Sequence, residues 1–256
     1  MQLFHLDLGG AGRPPLLLLH GLLGSSRNWQ TAGRALAEHF HVCALDARNH
    51  GRSPHAPESS SEAMREDVVA WMRTHAIPAA TILGHSMGGR TAMQLACRHP
   101  ALVSRLIVVD VAPRSYPGLS HWTHFDALQA LDLSALRSRV DAEERLAPFV
   151  PDPGMRKFLV TNLAQDHAGR WHWTANLPAL AASLPALELN PLQPDDQYHG
   201  PVLFVRGERS AYIRPADQAA IQAHFPRARM ATVPGAGHNP HIDQRDAFVE
   251  AVLAAG

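Results

Sequence analysis

Residues 80–100 are the part of the chain that most restricts its fold. A short apolar stretch at 80–83 leads into Gly-His-Ser-Met-Gly at 84–88, and apolar residues then recur at helical spacing until Pro100. The glycines allow close backbone contacts that a side chain would prevent. This stretch therefore predicts a buried strand, a very tight turn and a helix, with Ser86 at the turn.

Ser86 stands at the centre of a Gly-x-Ser-x-Gly pattern, the frame that holds a nucleophilic serine clear of a sheet. A glycine-rich turn without catalytic duty would show the same letters, so the flanking residues decide between the two interpretations. The predicted strand before the turn and the predicted helix after it favour a nucleophile. Ser86 is therefore the candidate nucleophile.

Apolar runs bounded by turn residues recur along the rest of the chain. They lie at 16–19, 42–45, 81–83, 106–109, 202–205 and 230–233. Such runs are typical of parallel strands buried on both faces, and amphipathic helical segments alternate with them. Residues 2–8 alternate polar and apolar, which indicates an antiparallel edge strand. The pattern predicts an α/β fold with a doubly wound, mostly parallel sheet.

This alternation stops between residues 113 and 199. Helical patterns occur at 122–131, 134–147, 154–165 and 177–187 without a strand-like run between them. We expect a helical cap at 113–199, inserted into a core domain of residues 1–112 and 200–256, over the crevice where ligands bind in such sheets. The aromatic residues of the cap either line a substrate pocket or form the cap's own core. The candidate pocket residues are Leu23, Trp122, Phe125, Phe158, Trp173 and Tyr212.

Composition restricts the partners. The chain has 256 residues, 46% of them hydrophobic, with a formal net charge of zero and no basic run, which disfavours nucleic acid or an anionic membrane as partner. We expect a small-molecule acyl substrate and a monomer or homodimer. No leader-like or membrane-spanning stretch is evident, so we expect a cytoplasmic protein. The 17 histidines and two cysteines show no metal-ligand spacing, so we expect neither a metal nor a cofactor.

A candidate base follows the last predicted strand. His238 lies in Gly-Ala-Gly-His-Asn-Pro at 235–240, a loop expected at the same edge of the sheet as Ser86. A serine nucleophile needs a base to remove its proton and a third group to orient that base. His241 lies beyond Pro240 and His85 is interpreted as a packing residue, so His238 is the preferred base.

The order of these motifs, over essentially the whole chain, resembles the α/β-hydrolase family. The motifs are His-Gly-Leu-Leu-Gly at 20–24, Asp-Ala-Arg-Asn-His-Gly-Arg-Ser at 46–53, the Ser86 turn and the Gly-His loop at 237–238. The Arg-Asn-His-Gly sequence at 48–51 looks closest to a branch of small capped serine esterases and thioesterases. The resemblance implies that the backbone N–H groups of Leu22 and Met87 form an oxyanion hole. It favours a structural role for the loop at 46–53.

The third group, an acid that orients the histidine, departs from the family pattern. Most members carry an aspartate in the loop after the seventh strand, where this chain has Ser210, and a hydroxyl cannot supply the negative charge that stabilises an imidazolium. Asp110 ends the run at 106–109 and would face the same crevice, so it is the preferred acid, with Ser210 as its hydrogen-bonding partner. Glu208 competes, and Asp217 lies in the next predicted helix.

These residues indicate a serine hydrolase that cleaves carboxylic esters or thioesters, including acyl-CoA, through a Ser-His-Asp triad and an acyl-enzyme. The serine argues against family members that use an aspartate nucleophile, such as haloalkane dehalogenases and epoxide hydrolases. Carbon–carbon bond hydrolysis, amide or peptide cleavage, and cofactor-free perhalide formation remain alternatives. A small-molecule sensor that retains the triad is an alternative of another class.

Overall fold

The computed structural model describes residues 1–117 and 121–254, and for His121 and Trp122 it describes the backbone alone. The interpretation of Trp122 as a pocket residue therefore lies outside the described side chains. None of the described helices combines the length and the apolar character needed to cross a membrane.

Most of the described strands form one sheet. The strands are β1 (His5–Asp7), β2 (Pro15–Leu19), β3 (His41–Leu45), β4 (Ala80–His85), β5 (Val103–Val109), β6 (Leu163–Gln165), β7 (Trp171–Trp173), β8 (Val202–Gly207) and β9 (Ala228–Val233). Seven of them form a sheet in the order β1-β3-β2-β4-β5-β8-β9. β1 pairs antiparallel with β3, and the other pairs of this sheet are parallel. The predicted sheet and its antiparallel edge strand are confirmed.

Helices cover both faces of this sheet. The described helices are α1 (Gln30–Leu36), α2 (Ser61–Thr74), α3 (Met87–Arg98), α4 (His121–Ala130), α5 (Arg139–Leu146), α6 (Pro153–Val160), α7 (Leu177–Leu187), α8 (Gln218–His224), α9 (Pro240–Asp243) and α10 (Arg245–Ala254). Leu16 and Leu18 pack with residues of α1 and α10, whereas Leu17 and Leu19 pack with residues of α2 and α3. Because alternate residues of a strand face opposite cores, the strands read as nearly continuous apolar runs.

The described residues between β5 and β8 include α4, α5, α6 and α7. Their apolar side chains form a separate cluster that also includes Leu23 of the sheet region. The amphipathic helices of this segment thus bury their apolar faces mainly against one another.

A hairpin in this segment corrects the sequence analysis, which predicted no strand there and a helix over 154–165. Helix α6 ends at Val160, and β6 pairs antiparallel with β7. Asp166 accepts hydrogen bonds from the backbone N–H groups of Ala168 and Arg170, and Gly169 has a φ of 76°. This turn closes strands of three residues each, which are too short to show as an alternating pattern.

Candidate active site

The turn between β4 and α3 holds Ser86 in a strained conformation. Ser86 has φ 51° and ψ −114°, a region that costs a residue other than glycine about 1–3 kcal/mol. Its backbone N–H donates to the carbonyl of Val109 at 3.0 Å. A Cβ atom on Gly84 would lie 2.2 Å from the carbonyl oxygen of Gly88, and one on Gly88 would lie 2.4 Å from that of Leu19. The two glycines therefore permit the close packing that places Ser86 at the turn.

Asp110 follows β5 and is fully buried. One carboxylate oxygen lies 2.8 Å from Nδ1 of His238 and also accepts a hydrogen bond from the hydroxyl of Ser210. The other accepts the backbone N–H of Gly207 at 3.1 Å. An ionised carboxylate only accepts hydrogen bonds, so this arrangement fixes the His238 proton on Nδ1 and leaves Nε2 as an acceptor.

The competing carboxylates lie elsewhere. Glu208 is exposed and accepts the backbone N–H of Gly235 at 2.7 Å, so it holds the loop that leads to His238. Asp217 is buried and forms an ion pair with Nε of Arg114 at 3.1 Å. Asp110 is thus the acidic side chain placed at His238 Nδ1.

Two aromatic side chains contact His238. The ring of Tyr212 stacks on the imidazole, with centroids 3.7 Å apart and an interplanar angle of 18°. Nε2 of His85 lies 2.7 Å from the backbone carbonyl oxygen of His238. Burial keeps the pKa of His85 well below its ordinary value, so its ring is neutral at neutral pH and its Nε2–H donates. The sequence predicted packing for His85 and gave no signal for this bond.

A cavity of about 600 Å³ contains both Ser86 and His238 in its wall. Leu23, Phe158 and Tyr212 of the predicted pocket residues also line it. The sequence analysis did not identify several other lining residues. These include Met155, Leu159, Asn239 and Ile242.

Phe125 and Trp173 do not line this cavity, which corrects their interpretation as pocket residues. Phe125 is completely buried within the apolar cluster of α4–α7, and Trp173 packs against the same cluster. These two aromatic residues instead follow the second interpretation, in which they pack within the segment itself. Phe125 is part of the buried centre of this cluster, and the half-buried Trp173 packs against it.

Two buried histidines organise the loop that follows β2. His20 Nδ1 lies 2.8 Å from the carbonyl oxygen of Gly21, and its Nε2 accepts the N–H of Ala47 at 2.9 Å. His50 accepts the N–H of Leu23 at 3.2 Å through Nε2. Burial lowers the pKa of His50 to about 3, so its ring stays neutral and can accept this bond.

The predicted oxyanion residues both lie close to the nucleophile. Leu22 belongs to the loop just described, and Met87 is the first residue of α3, where amide groups have no partner within the helix. Both residues line a second, smaller pocket together with Ser86. The arrangement can therefore present backbone donors at the side of the serine.

Metal-ligating groups do not gather in the described part of the chain. No cluster of three or more His, Cys, Asp or Glu side chains suits a metal ion there. Cys43 and Cys97 are free thiols, and burial raises their pKa values to about 11 and about 12. Both thiols stay protonated at neutral pH, which makes them weak nucleophiles.

Comparison with known proteins places the chain among ester hydrolases of one fold. A family model described as alpha/beta hydrolase fold matches residues 14–244. The sn-1-specific diacylglycerol lipase ABHD11 of Mus musculus is 38% identical over 253 residues, which cover 96% of this chain and 82% of that protein. Esterase YbfF of Escherichia coli strain K12 is 31% identical, covering 93% of this chain and 91% of that one.

A solved structure described as a marine microorganism esterase has a TM-score of 0.96 to this chain. It is 35% identical in sequence, and the match covers 100% of each chain. Family model, relatives and structure agree over nearly the whole length. The chain therefore belongs to the α/β-hydrolase family.

Proposed function

We propose that this protein is a serine esterase that hydrolyses carboxylic esters, with Ser86 as nucleophile, His238 as base and Asp110 as the acid that orients it. The observation that carries the proposal is the 2.8 Å contact of Asp110 with His238 Nδ1, in a cavity that Ser86 also lines. The names of the esterase and lipase relatives support the same reaction class.

The proposed reaction has two halves that use the same residues. As the Ser86 Oγ bonds to the ester carbonyl carbon, His238 accepts the hydroxyl proton through Nε2. The tetrahedral intermediate then collapses, His238 gives that proton to the leaving alcohol oxygen, and an acyl-enzyme remains. Water attacks the acyl carbon with His238 again as base, and release of the carboxylic acid restores Ser86.

Charge in the proposed intermediate is stabilised at two positions. The N–H groups of Leu22 and Met87 donate to the oxyanion, where loss of one such donor typically costs about 10²–10³ in rate. Asp110 stabilises the positive charge on His238, and the stacked ring of Tyr212 adds a favourable contact with that cation. Ser210 keeps the Asp110 carboxylate oriented.

The large cavity is the proposed site of the leaving alcohol, because His238 lines it and must reach the departing oxygen. Its wall includes apolar side chains such as Leu23, Met155 and Phe158, which suits an alcohol with substantial apolar surface. We further propose that residues 113–199 form a cap over this cavity. Thioesters, including acyl-CoA, present the same acyl carbon and are a further proposed substrate class.

Steady-state hydrolysis of p-nitrophenyl butyrate tests the proposal. An esterase releases nitrophenol through many turnovers, whereas a sensor that retains the triad stops after about one equivalent. The folded Ser86→Ala variant is the control and should be inactive. Release that stops at one equivalent, or activity that survives in Ser86→Ala, contradicts the proposal.

A further inference from the structure

The second pocket beside Ser86 combines an apolar wall with two unusual polar side chains. Its volume is about 40 Å³, room for about three water molecules, and Leu22, Met87 and Leu184 supply part of its apolar wall. Arg90 and Glu188 lie in the same wall. The mechanism proposed above uses neither of them.

Arg90 is a buried cation with two nitrogen donors that have no partner. It lies on α3, one turn after Ser86, and is 5% exposed. Nη1 donates to the carbonyl of Arg114 at 3.1 Å, but Nε and Nη2 have no hydrogen-bond partner. Burial lowers the pKa of Arg90 to about 10, so the guanidinium is still charged at neutral pH. Donors without a partner on a buried charge raise the free energy of the folded protein. A ligand that places a hydrogen-bond acceptor in the pocket would remove this penalty.

Glu188 supplies the complementary group. It follows the end of α7, and its Oε1 is buried without a hydrogen-bond partner. Arg90 and Glu188, both fully described, do not pair with each other. The pocket thus offers N–H donors and a carboxylate acceptor, with opposite charges that cancel. A neutral group that both accepts and donates satisfies both side chains, whereas a carboxylate would satisfy Arg90 and face the like charge of Glu188.

We infer that Arg90 and Glu188 are specificity-determining residues that bind a hydroxyl group on the acyl portion of the substrate. The inference rests on the proposed esterase function. His238 lines the large cavity and not this pocket, so the alcohol leaves on that side and the acyl group extends into the smaller pocket. In this arrangement Arg90 donates a hydrogen bond to the hydroxyl oxygen, and the hydroxyl donates a hydrogen bond to the Glu188 carboxylate.

A matched pair of esters tests the inference. Ethyl 3-hydroxypropanoate and ethyl butanoate share the alcohol and differ by a terminal hydroxyl in place of a methyl group. We expect the wild-type enzyme to prefer the hydroxylated ester by about tenfold to a hundredfold in kcat/KM, the range for a hydrogen bond to a charged group. Arg90→Met and Glu188→Met each remove the polar group that binds the hydroxyl, so each should remove most of this preference. Arg229→Met, at an exposed arginine on β9, is the matched control and should retain it.

The ratio of the two rates separates specificity from a structural role. A purely structural Arg90 would lower both rates equally and overturn the inference. If Arg90→Met does not fold, Glu188→Met, which removes the acceptor from a half-buried position of similar side-chain length, gives the same test. Monoethyl succinate carries a carboxylate on its acyl portion in place of the hydroxyl. Equal wild-type kcat/KM values for the matched pair, or a wild-type preference for monoethyl succinate over the hydroxylated ester, overturn the inference alone. If the wild-type enzyme hydrolyses p-nitrophenyl butyrate but none of these ethyl esters, the inference alone is overturned. If it hydrolyses p-nitrophenyl butyrate no better than Ser86→Ala does, the proposed function is overturned and this inference with it.

Discussion

In the proposed triad, Asp110 supplies the acid from the end of β5 rather than from the loop after β8. Asp110 follows β5, whereas the loop after β8 contributes Ser210, whose hydroxyl donates to that carboxylate. The two groups meet because the carboxyl ends of neighbouring parallel strands lie at one edge of the sheet. This shared edge is also why the sequence could indicate Asp110.

Replacing Asp110 with asparagine should abolish most activity. Asp110→Asn keeps the size of the side chain but removes the charge and the correct His238 tautomer, so kcat should fall by roughly 10⁴-fold. Glu208→Gln is the matched control and should have a mild effect, because Glu208 bonds to a loop amide. Ester hydrolysis by both folded variants measures the difference. A nearly normal Asp110→Asn enzyme beside an inactive Glu208→Gln enzyme would reverse the assignment.

Ser210 should have an intermediate effect. Ser210→Ala removes the hydrogen bond to Asp110 and leaves the negative charge, so the barrier should rise by about 0.5–3 kcal/mol. The kcat values of Ser210→Ala and Asp110→Asn, measured together, rank the two changes. A loss in Ser210→Ala as large as that in Asp110→Asn would show that Ser210 does more than support the carboxylate.

Other residue-scale features were not accessible from the sequence. The bond from His85 to the His238 carbonyl depends on how deeply the last loop sits on β4. The aromatic residues between β5 and β8 divide between an apolar core and the cavity wall. This division depends on how α4–α7 pack, and no spacing along one helix encodes it. Phe158 lines the cavity, whereas Phe125 is completely buried in the apolar cluster of α4–α7.

At the scale of elements, the strand–turn–helix unit around Ser86 should tolerate no added side chain. A Cβ on Gly84 would lie 2.2 Å from backbone of Gly88, which side-chain movement cannot relieve. Gly84→Ala should therefore lower the free energy of unfolding by about 3 kcal/mol, measured by urea denaturation. Gly154→Ala in α6 is the control, because the nearest atom to its Cβ is a side-chain oxygen at 3.1 Å. Similar stabilities for the two variants would contradict this account of the turn.

The large elements were predictable because each repeats a strong pattern. The buried strands need apolar residues on both faces, so most of β2 and β3 and residues 106–109 of β5 show as continuous apolar runs. The hairpin of β6 and β7 was missed, since strands of three residues that pack against helices follow tertiary contacts more than a local period.

At the scale of the whole molecule, several histidines are buried in neutral form. Burial lowers the pKa values of His20, His50, His85 and His241, that of His241 to about 3. In the unfolded chain each would titrate near 6.5, so the unfolded state binds more protons below that pH. Their contribution to stability is therefore complete above pH 6.5 and is lost progressively as the pH falls towards the folded-state pKa.

His241 offers a clean test of this acid sensitivity. It stacks on Trp29 with centroids 4.2 Å apart, and its Nδ1 is buried without a partner, so phenylalanine can take its place. Between pH 7 and pH 5, protonation of His241 in the unfolded chain should cost wild-type protein about 2 kcal/mol, and His241→Phe should avoid that loss. Urea denaturation at both pH values measures it. The exposed His39→Gln is the control, and an unchanged pH dependence in His241→Phe would contradict the account.

The central claim is that Ser86 is the nucleophile, and covalent labelling of Ser86 tests it most directly. The wild-type protein is treated with a fluorophosphonate, digested and examined by mass spectrometry. The account predicts one adduct on Ser86, because His238 activates its hydroxyl and the amides of Leu22 and Met87 stabilise the product. Ser86→Ala should take up no label. An adduct on another serine, or no adduct on folded wild-type protein, would contradict the assignment of Ser86 as nucleophile.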